Sequence, residues 1–319
     1  MDRQGPVGQL RAAVEAFASA HLIDADPWCV ALSGGPDSLA LTAVSAGLRP
    51  TTALIVDHGL QSDSAAVAET ARAQAVALGC VDAQVLCVQV GGDGGQEAAA
   101  RKARYRALGA HRQGQVLLAH TLDDQAETVL LGLGRGSGAR SIAGMRPHDP
   151  PWCRPLLGVR RAVTHAACRE LGLTAWQDPH NTDRRFTRAR LRHEVLPLLE
   201  DVLAGGVAEA LARTATALRE DTELIDALAT QALPRVTAES GLRTAALGAL
   251  PDPVRRQVIR GWLLAGGATG LTDKHIRGVD TLVTDWHGQG GVAVGSRLRD
   301  QRLIAGRRDG VLTLRREPV

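Results

Sequence analysis

The chain has 319 residues, of which 45% are hydrophobic and only 3% aromatic. This predicts a globular protein with one large or two smaller domains and a core built mainly from Ala, Val and Leu. The formal charge of +3 permits nucleic-acid binding without requiring it. No apolar segment approaches the length of a membrane span, and Arg11 and Glu15 interrupt the first apolar stretch, which excludes a secretory signal there. We therefore expect a cytoplasmic protein without a membrane partner.

The first 130 residues predict alternating strands and helices. Short runs rich in Val and Leu are typical of buried parallel strands, and they occur at 29–32, 52–57, 84–90 and 116–120. Ala-rich helical stretches separate them, at 37–47, 63–79 and 96–112. The alternation predicts an α/β domain with a doubly wound parallel sheet, in which ligands bind at the carboxyl ends of the strands.

The first predicted strand runs into a glycine-rich turn that opens a helix, a pattern typical of phosphate binding. Gly34 and Gly35 let the backbone approach a ligand closely, and Pro36 suits the first turn of a helix. An acid beside a phosphate would repel it, so Asp37 predicts a Mg²⁺ ion between the two. The lysine of the common nucleotide-binding loop is absent. The predicted phosphate loop comprises Ser33, Gly34, Gly35, Pro36, Asp37 and Ser38.

Two further groups of polar residues follow predicted strands. Asp57 ends the second strand, where the sugar or base of a nucleotide lies in such sheets, although it can equally be a turn residue. His120 ends the fourth strand and shares one helical stripe with Asp124 and Glu127. The helix dipole explains an acid in the first turn but not His120 with Glu127, so we predict a functional site there. Arg135, in the glycine-rich loop that follows, is a candidate to contact a phosphate.

The pattern changes after about residue 145. The proline-rich segment MRPHDPPWCRPLL predicts no regular structure, and a helix follows at 160–172. Residues 201–232 are helical in pattern, and the tail mixes helices at 251–265 and 272–286 with short strands in GVAV, RLIAG and VLTL. We therefore predict a catalytic domain at 1–200 and a smaller, helical and α+β domain at 201–319.

The densest cationic segment lies just before that boundary, in RRFTRARLRH. Arg188 and Arg192 stand at i, i+4 and would share a helical face. Arginines in such a cluster contact nucleic-acid phosphates, and the alternative is an ordinary solvated helix.

The motifs resemble a known family. SGGPDS resembles the PP-loop of N-type ATP pyrophosphatases, which cleave ATP between the α- and β-phosphates and transfer AMP. Together, the motifs resemble the tRNA(Ile)-lysidine synthase family in order through about residues 28–200, and these motifs are SGGPDS, VDHGLQ, EAAARKARY, LAHTLDDQAETVLLGLGRGSG, RPLL and DPHNTDRRFTRARLRHEVLP. The resemblance implies an ATP-dependent ligase that joins free L-lysine to C2 of the wobble cytidine of a CAU-anticodon isoleucine tRNA, through an adenylated tRNA. The tRNA then changes from Met to Ile specificity.

The resemblance also implies roles for individual residues. The loop from Ser33 to Ser38 would bind ATP, with Asp37 near Mg²⁺, and the position of Asp57 at a strand end adds it to the predicted ATP-binding residues. The residues implied in adenylation and lysine handling are Asp37, Arg104, His120, Asp124 and Glu127. The tRNA-binding arginines predicted from the sequence are Arg135, Arg188, Arg190 and Arg192. Many members carry Arg-Asn where this chain has Arg188-Ala189, which puts a role for residue 189 in doubt.

Rival functions are a PP-loop tRNA thiolase, a glutamine-dependent ligase and a non-catalytic ATP-binding regulator. A thiolase uses a cysteine pair or an iron–sulfur site, and the five cysteines form no CxxC motif. A glutamine-dependent ligase needs a glutaminase, and a regulator leaves the cluster of His120 and Glu127 unexplained. Asp124 and His120 are both candidates to accept the proton of the lysine amine. A second copy of the chain is a further candidate partner, in a homodimer.

Overall fold

The computed structural model describes residues 4–22, 26–61, 63–91, 95–136, 138–296 and 301–318. The chain forms two compact units. The first comprises Met1–Leu130 and Gly144–Arg213, and the second comprises Leu131–Ala143 and Thr214–Val319. Among the helices of the described ranges, none combines the length and the apolar character that a membrane span requires.

The first unit contains a six-stranded sheet in the order β3-β2-β1-β4-β6-β5. The strands are β1 Trp28–Ala31, β2 Thr51–Asp57, β3 Asp82–Cys87, β4 Gln115–Leu117, β5 His148–Asp149 and β6 Trp152–Cys153. Every neighbouring pair is parallel except β5 with β6. Because Trp28 pairs with both Thr51 and Gln115, the carboxyl ends of β1, β2 and β4 lie at one edge of the sheet.

Helices cover both faces of this sheet. The helices of this part of the chain are α1 Pro6–His21, α2 Pro36–Ala46, α3 Ser64–Ala77, α4 Gln96–His111, α5 Leu122–Arg135, α6 Ala139–Ile142, α7 Arg161–Glu170, α8 Thr187–Arg190, α9 Leu196–Val202 and α10 Val207–Val236. The end of α5 from Leu131, all of α6 and the part of α10 from Thr214 belong to the second unit. Leu10, Leu39 and Ala167 pack in one core with Val30 of β1, whereas Leu108 of α4 packs in another. The expected doubly wound α/β fold is therefore confirmed.

The second unit contains an antiparallel sheet in the order β7-β8-β12-β11-β10-β9. Its strands are β7 Thr237–Ala238, β8 Gly241–Arg243, β9 Ala268–Thr269, β10 Val292–Ser296, β11 Gln301–Arg308 and β12 Val311–Pro318. The remaining helices are α11 Thr244–Gly248, α12 Asp252–Ala265 and α13 Asp273–Thr284. Leu242, Ile259 and Leu282 belong to one buried core that joins the helices to the sheet. The expected mixture of helices and strands is confirmed for this unit.

The structure contradicts two expectations about local structure. The proline-rich segment forms β5 and β6, because Trp152 and Cys153 pair with Val116 and Leu117 at the edge of the parallel sheet. Two residues per strand are too few to show a hydrophobic period, so the sequence carries no strand signal there. The helical stretch expected at 201–232 is instead divided between α9 and α10. Gly205 and Gly206, at φ values of 89° and 76°, break it in a conformation that favours glycine.

Candidate active site

The glycine-rich turn after β1 is built to receive an anion. Gly34 has a φ of 79°, and α2 begins at Pro36 without a side-chain cap. The first backbone N–H groups of α2 therefore have no partner within the helix, and they lie at the positive end of its dipole. The Ser38 hydroxyl accepts a hydrogen bond from Ser33 N at 3.1 Å and donates one to Gly35 O at 3.0 Å. These bonds hold the turn in shape around the unpaired N–H groups.

Asp37, in the first turn of α2, faces α7. Its Oδ1 accepts a hydrogen bond from the Thr164 hydroxyl, and its Oδ2 lies 3.7 Å from Arg161 Nε. His165 Nε2 lies 3.8 Å from Oδ1. Burial raises the pKa of Asp37 above its ordinary value and the neighbouring Asp124 adds to the rise, while Thr164 and Arg161 oppose it. The carboxylate that was predicted to meet a metal therefore has a protein cation beside it.

Asp124 is fixed from two sides at the start of α5. Its Oδ2 accepts hydrogen bonds from Thr121 N at 2.8 Å and from Thr121 Oγ1 at 2.7 Å. Its Oδ1 accepts one from Arg161 Nη2 at 2.6 Å. Burial raises the pKa of Asp124, but Arg161, His120 and the bonds from Thr121 outweigh burial and hold that pKa below its ordinary value. Asp124 is therefore an ionised, oriented carboxylate.

Glu127, one turn further along α5, is completely buried. Its carboxylate accepts hydrogen bonds from Arg192 Nε at 2.9 Å and from Arg161 Nη2 at 3.2 Å, and Arg188 Nη1 lies 3.6 Å away. A carboxylate without solvent contact needs such partners, because burial of an unpaired charge costs several kcal/mol. Glu127 therefore binds arginines from two separate parts of the chain, Arg161 on α7 and Arg188 and Arg192 on α8 and the turn that continues it.

A cavity of about 220 Å³ lies beside these acids. Its lining consists of Arg101, Arg104, His120, Asp124, Glu127, Met145, Arg188 and Arg192. Four arginines, two acids and one histidine make the lining charged almost throughout, with an excess of positive charge. The cavity thus offers partners for the carboxylate and the amino groups of one small zwitterion, and for a phosphate.

His120 presents a neutral imidazole to this cavity. Burial lowers the pKa of His120 to about 3, although nearby Asp124 opposes the shift. Its Nδ1 is buried and has no hydrogen-bond partner among the residues that the structure describes. A neutral ring with an unpaired nitrogen is a hydrogen-bonding group available to a ligand.

Arg101 and Arg104 reach the cavity from α4 with Tyr105 between them. The guanidinium carbons of Arg101 and Arg104 lie 4.9 Å and 5.6 Å from the centre of the Tyr105 ring. Arg101 Nη2 also donates to Tyr105 Oη at 3.2 Å, and the tyrosine packs edge-on against Trp152. Burial lowers the pKa of Arg104. The aromatic pair therefore orients two cavity arginines.

Six of the predicted site residues line the cavity, and Asp37 is linked to them through Arg161. The six are Arg104, His120, Asp124, Glu127, Arg188 and Arg192. Arg188 and Arg192 share a face because α8 continues into a wider, π-type turn at Leu191–Val195.

The phosphate loop and three further predicted residues are not among those that line this cavity. Asp57 Oδ1 accepts a hydrogen bond from Gly59 N at 2.9 Å and so shapes the turn after β2. Arg190 is exposed and pairs with Glu194 at 3.2 Å. Arg135 is an exposed residue at the end of α5 that belongs to the second unit. The ligand-binding roles of these three residues stay predictions.

Arg161 and Thr164 belong to the site, although no role was predicted for them from the sequence. Both lie on α7, which was expected as a helix but not as part of the site. Two signals were present in the sequence. The Arg160-Arg161 pair comes two residues after RPLL, and it stands at a helix start, where the dipole disfavours cations. A cation at that position needs an acidic partner elsewhere in the fold.

Comparison with known proteins places these features in one family. A family model described as a PP-loop domain matches residues 9–199, and one described as the TilS substrate binding domain matches residues 242–310. The chain is 80% identical over 323 residues to tRNA(Ile)-lysidine synthase of Mycobacterium bovis, with all of both chains covered. It is 60% identical over 312 residues to the protein of that name from Nocardia farcinica, covering 97% of this chain and 98% of the relative.

A solved structure shows the same fold at low sequence identity. The U34-tRNA thiolase NcsA from Methanococcus maripaludis, with its [4Fe-4S] cluster, superposes with a TM-score of 0.56 at 16% identity. The match covers 67% of this chain and 80% of the thiolase. At this identity the likeness concerns the fold alone.

Proposed function

Because the chain belongs to the tRNA(Ile)-lysidine synthase family, we propose that it ligates lysine to C2 of the wobble cytidine of a CAU-anticodon isoleucine tRNA at the expense of ATP. The observation that carries the assignment to this site is the link between the phosphate loop and the charged cavity. Arg161 lies beside Asp37 of the loop and binds Asp124 and Glu127 of the cavity. A nucleotide on the loop and a small amine in the cavity would therefore lie close together.

The first step is the attack of the C2 carbonyl oxygen of cytidine on the α-phosphate of ATP. The unpaired N–H groups at the start of α2 hold the leaving pyrophosphate, and the hydroxyls of Ser33 and Ser38 line the same turn. A loop that holds a departing pyrophosphate does not need the lysine that stabilises a transferred γ-phosphate. We propose that Asp57, at the end of β2, contacts the sugar or base of the nucleotide, as expected for that strand end in a doubly wound sheet.

The donor set fits Mg²⁺ at Asp37. Asp37 Oδ2 accepts no hydrogen bond from the described residues, and Mg²⁺ typically binds one or two carboxylates together with substrate phosphates. When bound there, the ion would neutralise charge on the pyrophosphate. No group of three or more His, Cys, Asp or Glu residues in the described ranges is arranged to hold a metal.

The second step is displacement of AMP by the ε-amine of lysine. Asp124 and Glu127 are the cavity groups that suit the amines of the zwitterion, and Arg101 and Arg104 suit its carboxylate or a phosphate. His120 has a pKa of about 3 and is therefore neutral, so it accepts a hydrogen bond from the amine but does not stay protonated. Asp124 has a lowered pKa as well, so the proton of the amine passes on to solvent through either group.

The tRNA is proposed to contact Arg188, Arg190 and Arg192, with Arg135 as a further phosphate contact. We assign residues 1–200 to the catalytic domain and 201–319 to tRNA binding, the latter part containing the match to the TilS substrate binding domain. The protein would act in the cytoplasm, where its substrates occur. Association into a homodimer is checked by the mass of the protein in solution.

The cysteines support a ligase over a sulfur-transfer enzyme. Burial raises the pKa of Cys80 to about 11, that of Cys153 to about 12 and that of Cys168 to about 11, and burial also raises the pKa of Cys29. Thiols in this state do not form the thiolate that sulfur transfer needs. These four cysteines therefore do not suit sulfur transfer, and the fifth, Cys87, is exposed at the end of β3.

Pyrophosphate release tests the proposal when it is measured with ATP alone, with added tRNA, and with tRNA plus lysine. We expect release to require the CAU-anticodon isoleucine tRNA, and nucleoside mass spectrometry to show lysine joined to cytidine only when lysine is present. The methionine tRNA with the same anticodon is the matched control. Release without lysine incorporation under any condition would refute the ligase assignment.

A further inference from the structure

One face of α7 is directed at the phosphate loop. Arg161, Thr164 and Cys168 recur at helical spacing, and each contacts the first turn of α2. The Thr164 hydroxyl donates to Asp37 Oδ1, and Cys168 Sγ donates to Pro36 O at 3.1 Å. Thr164 is completely buried, and the second acceptor beside its hydroxyl is Arg161 O at 2.7 Å. The loop acid is therefore held by a helix that follows it by more than a hundred residues.

Arg161 extends this contact to α5. The guanidinium Nη2 lies 2.6 Å from Asp124 Oδ1 and 3.2 Å from Glu127 Oε1, while Nε faces Asp37 Oδ2 at 3.7 Å. The side chain is only 14% exposed, and the backbone N–H of Arg161 donates to Asp123 Oδ2 at 2.7 Å. Both the backbone and the side chain of this arginine are thus anchored.

Three carboxylates from two elements converge on this one guanidinium. Like charges at such separation repel each other, and a planar fork of N–H donors is the side chain that can join several of them. Arg192 and Arg188 also bind the acids of α5 but form no ion pair with Asp37 within the described ranges. Among the described residues, Arg161 is the arginine that connects Asp37 of the loop with the two acids of the cavity.

We propose that Arg161 and Thr164 are positioning residues, which fix the Asp37 carboxylate relative to Asp124 and Glu127 and so set the separation between bound ATP and the attacking amine. This inference rests on the proposed function. The α- and β-phosphates lie on the side of the loop, and the amine lies on the side of α5. A change in either contact misaligns the two substrates without removing a group that touches them.

The test uses the full chain, saturating tRNA and separate titrations of ATP and lysine. A misplacement of about 1 Å costs about 100-fold in rate, so we expect Arg161→Met to lower kcat for lysidine formation by about that factor, with KM for ATP changed less than about threefold. Arg161→Lys should recover part of the loss, because an ammonium keeps the charge but not the fork. Thr164→Val should lower kcat about tenfold and Thr164→Ser should restore it, since only serine keeps the hydroxyl.

Arg169→Met, an exposed change on the same helix, is the matched control and should behave as the unmodified protein. Arg161→Met variants with raised KM for ATP and unchanged kcat would overturn the inference, because the arginine would then be a binding residue. Equal kcat for Thr164→Val and Thr164→Ser would also overturn it. If Arg161→Met does not fold, the kcat values of Arg161→Lys, Thr164→Val and Thr164→Ser test the inference. An unmodified protein that forms no lysidine refutes the proposed function instead.

Discussion

Replacing Glu127 with Gln tests whether one buried carboxylate holds the arginines of the site together. The change keeps the shape of the side chain and removes its charge, so the bonds from Arg192, at 2.9 Å, and Arg161, at 3.2 Å, lose their ionic character. Arg188, at 3.6 Å, loses its acidic neighbour. The expected result is a less stable first unit with arginines that are no longer fixed.

The expected loss of stability depends on which interactions the three arginines keep in the Glu127→Gln variant. Breaking a fully buried ion pair costs about 3–5 kcal/mol. Arg161 retains Asp124 at 2.6 Å, and Arg192 and Arg188 are 25% and 39% exposed, so water replaces part of the interaction. We therefore expect a loss of about 2 kcal/mol in the free energy of unfolding, which corresponds to a fall in Tm of roughly 4–8 °C for a unit of this size.

Calorimetry and urea unfolding measure this loss, with the exposed Glu220→Gln as the control for a Glu-to-Gln change as such. Glu127→Ala should cost more than Glu127→Gln, because it also leaves space in a packed site. If Glu127→Gln has a free energy of unfolding within about 0.5 kcal/mol of the unmodified protein, the arginines do not depend on this carboxylate, and the reasoning about the charge cluster is wrong.

Four further outcomes are expected. Gly34→Ala should weaken ATP binding and destabilise the fold by about 1–2 kcal/mol, measured by nucleotide titration and urea unfolding, because φ is 79° there. The pKa of His120 is about 3 when folded and near 6.5 when unfolded, so the unfolded chain binds the proton first as pH falls. The contribution of His120 should therefore lower stability by about 1.4 kcal/mol per pH unit between pH 6.5 and about 3, and unfolding of His120→Asn should lack that contribution. In the second unit, Asp280→Asn should cost about 3 kcal/mol by urea unfolding, because Asp280 accepts a 2.6 Å bond from the buried Arg255. Arg188→Ala should weaken tRNA binding and reduce its log–log salt slope by about one, and an unchanged slope would argue against a phosphate contact.

Features that depend on adjacent residues could be predicted from the sequence. The alternation of apolar runs and helical stretches predicts the parallel sheet, and the glycines of SGGPDS predict the turn between β1 and α2. The shared helical face of Asp124 and Glu127 was predicted because three-residue spacing on a helix is a local property. The prediction that His120 belongs to the same helical stripe was wrong, because His120 lies between β4 and α5 and lines the cavity from that connection. In these cases the backbone conformation and the chemistry lie within one short segment.

Features that depend on distant partners could not be predicted in the same way. Trp152 and Cys153 form a strand only because β4 supplies an edge for them, and two residues carry no period of their own. Arg190 and Arg192 belong to the same cationic segment, yet one is exposed beside Glu194 and the other binds Glu127. The i, i+4 spacing predicts that Arg188 and Arg192 share a face, but only the fold shows that this face meets Glu127 and the cavity.

Asp37 shows both sides of this division. Its position after two glycines, at the start of a helix, predicts from the sequence alone that it stands beside a bound phosphate and needs a cation. Only the tertiary structure shows that Thr164 and Arg161 flank it, because these residues are more than 120 positions away and meet it through the packing of α7 on α2. Local spacing therefore determined the chemistry of the loop, while long-range packing decided which side chains hold it in place.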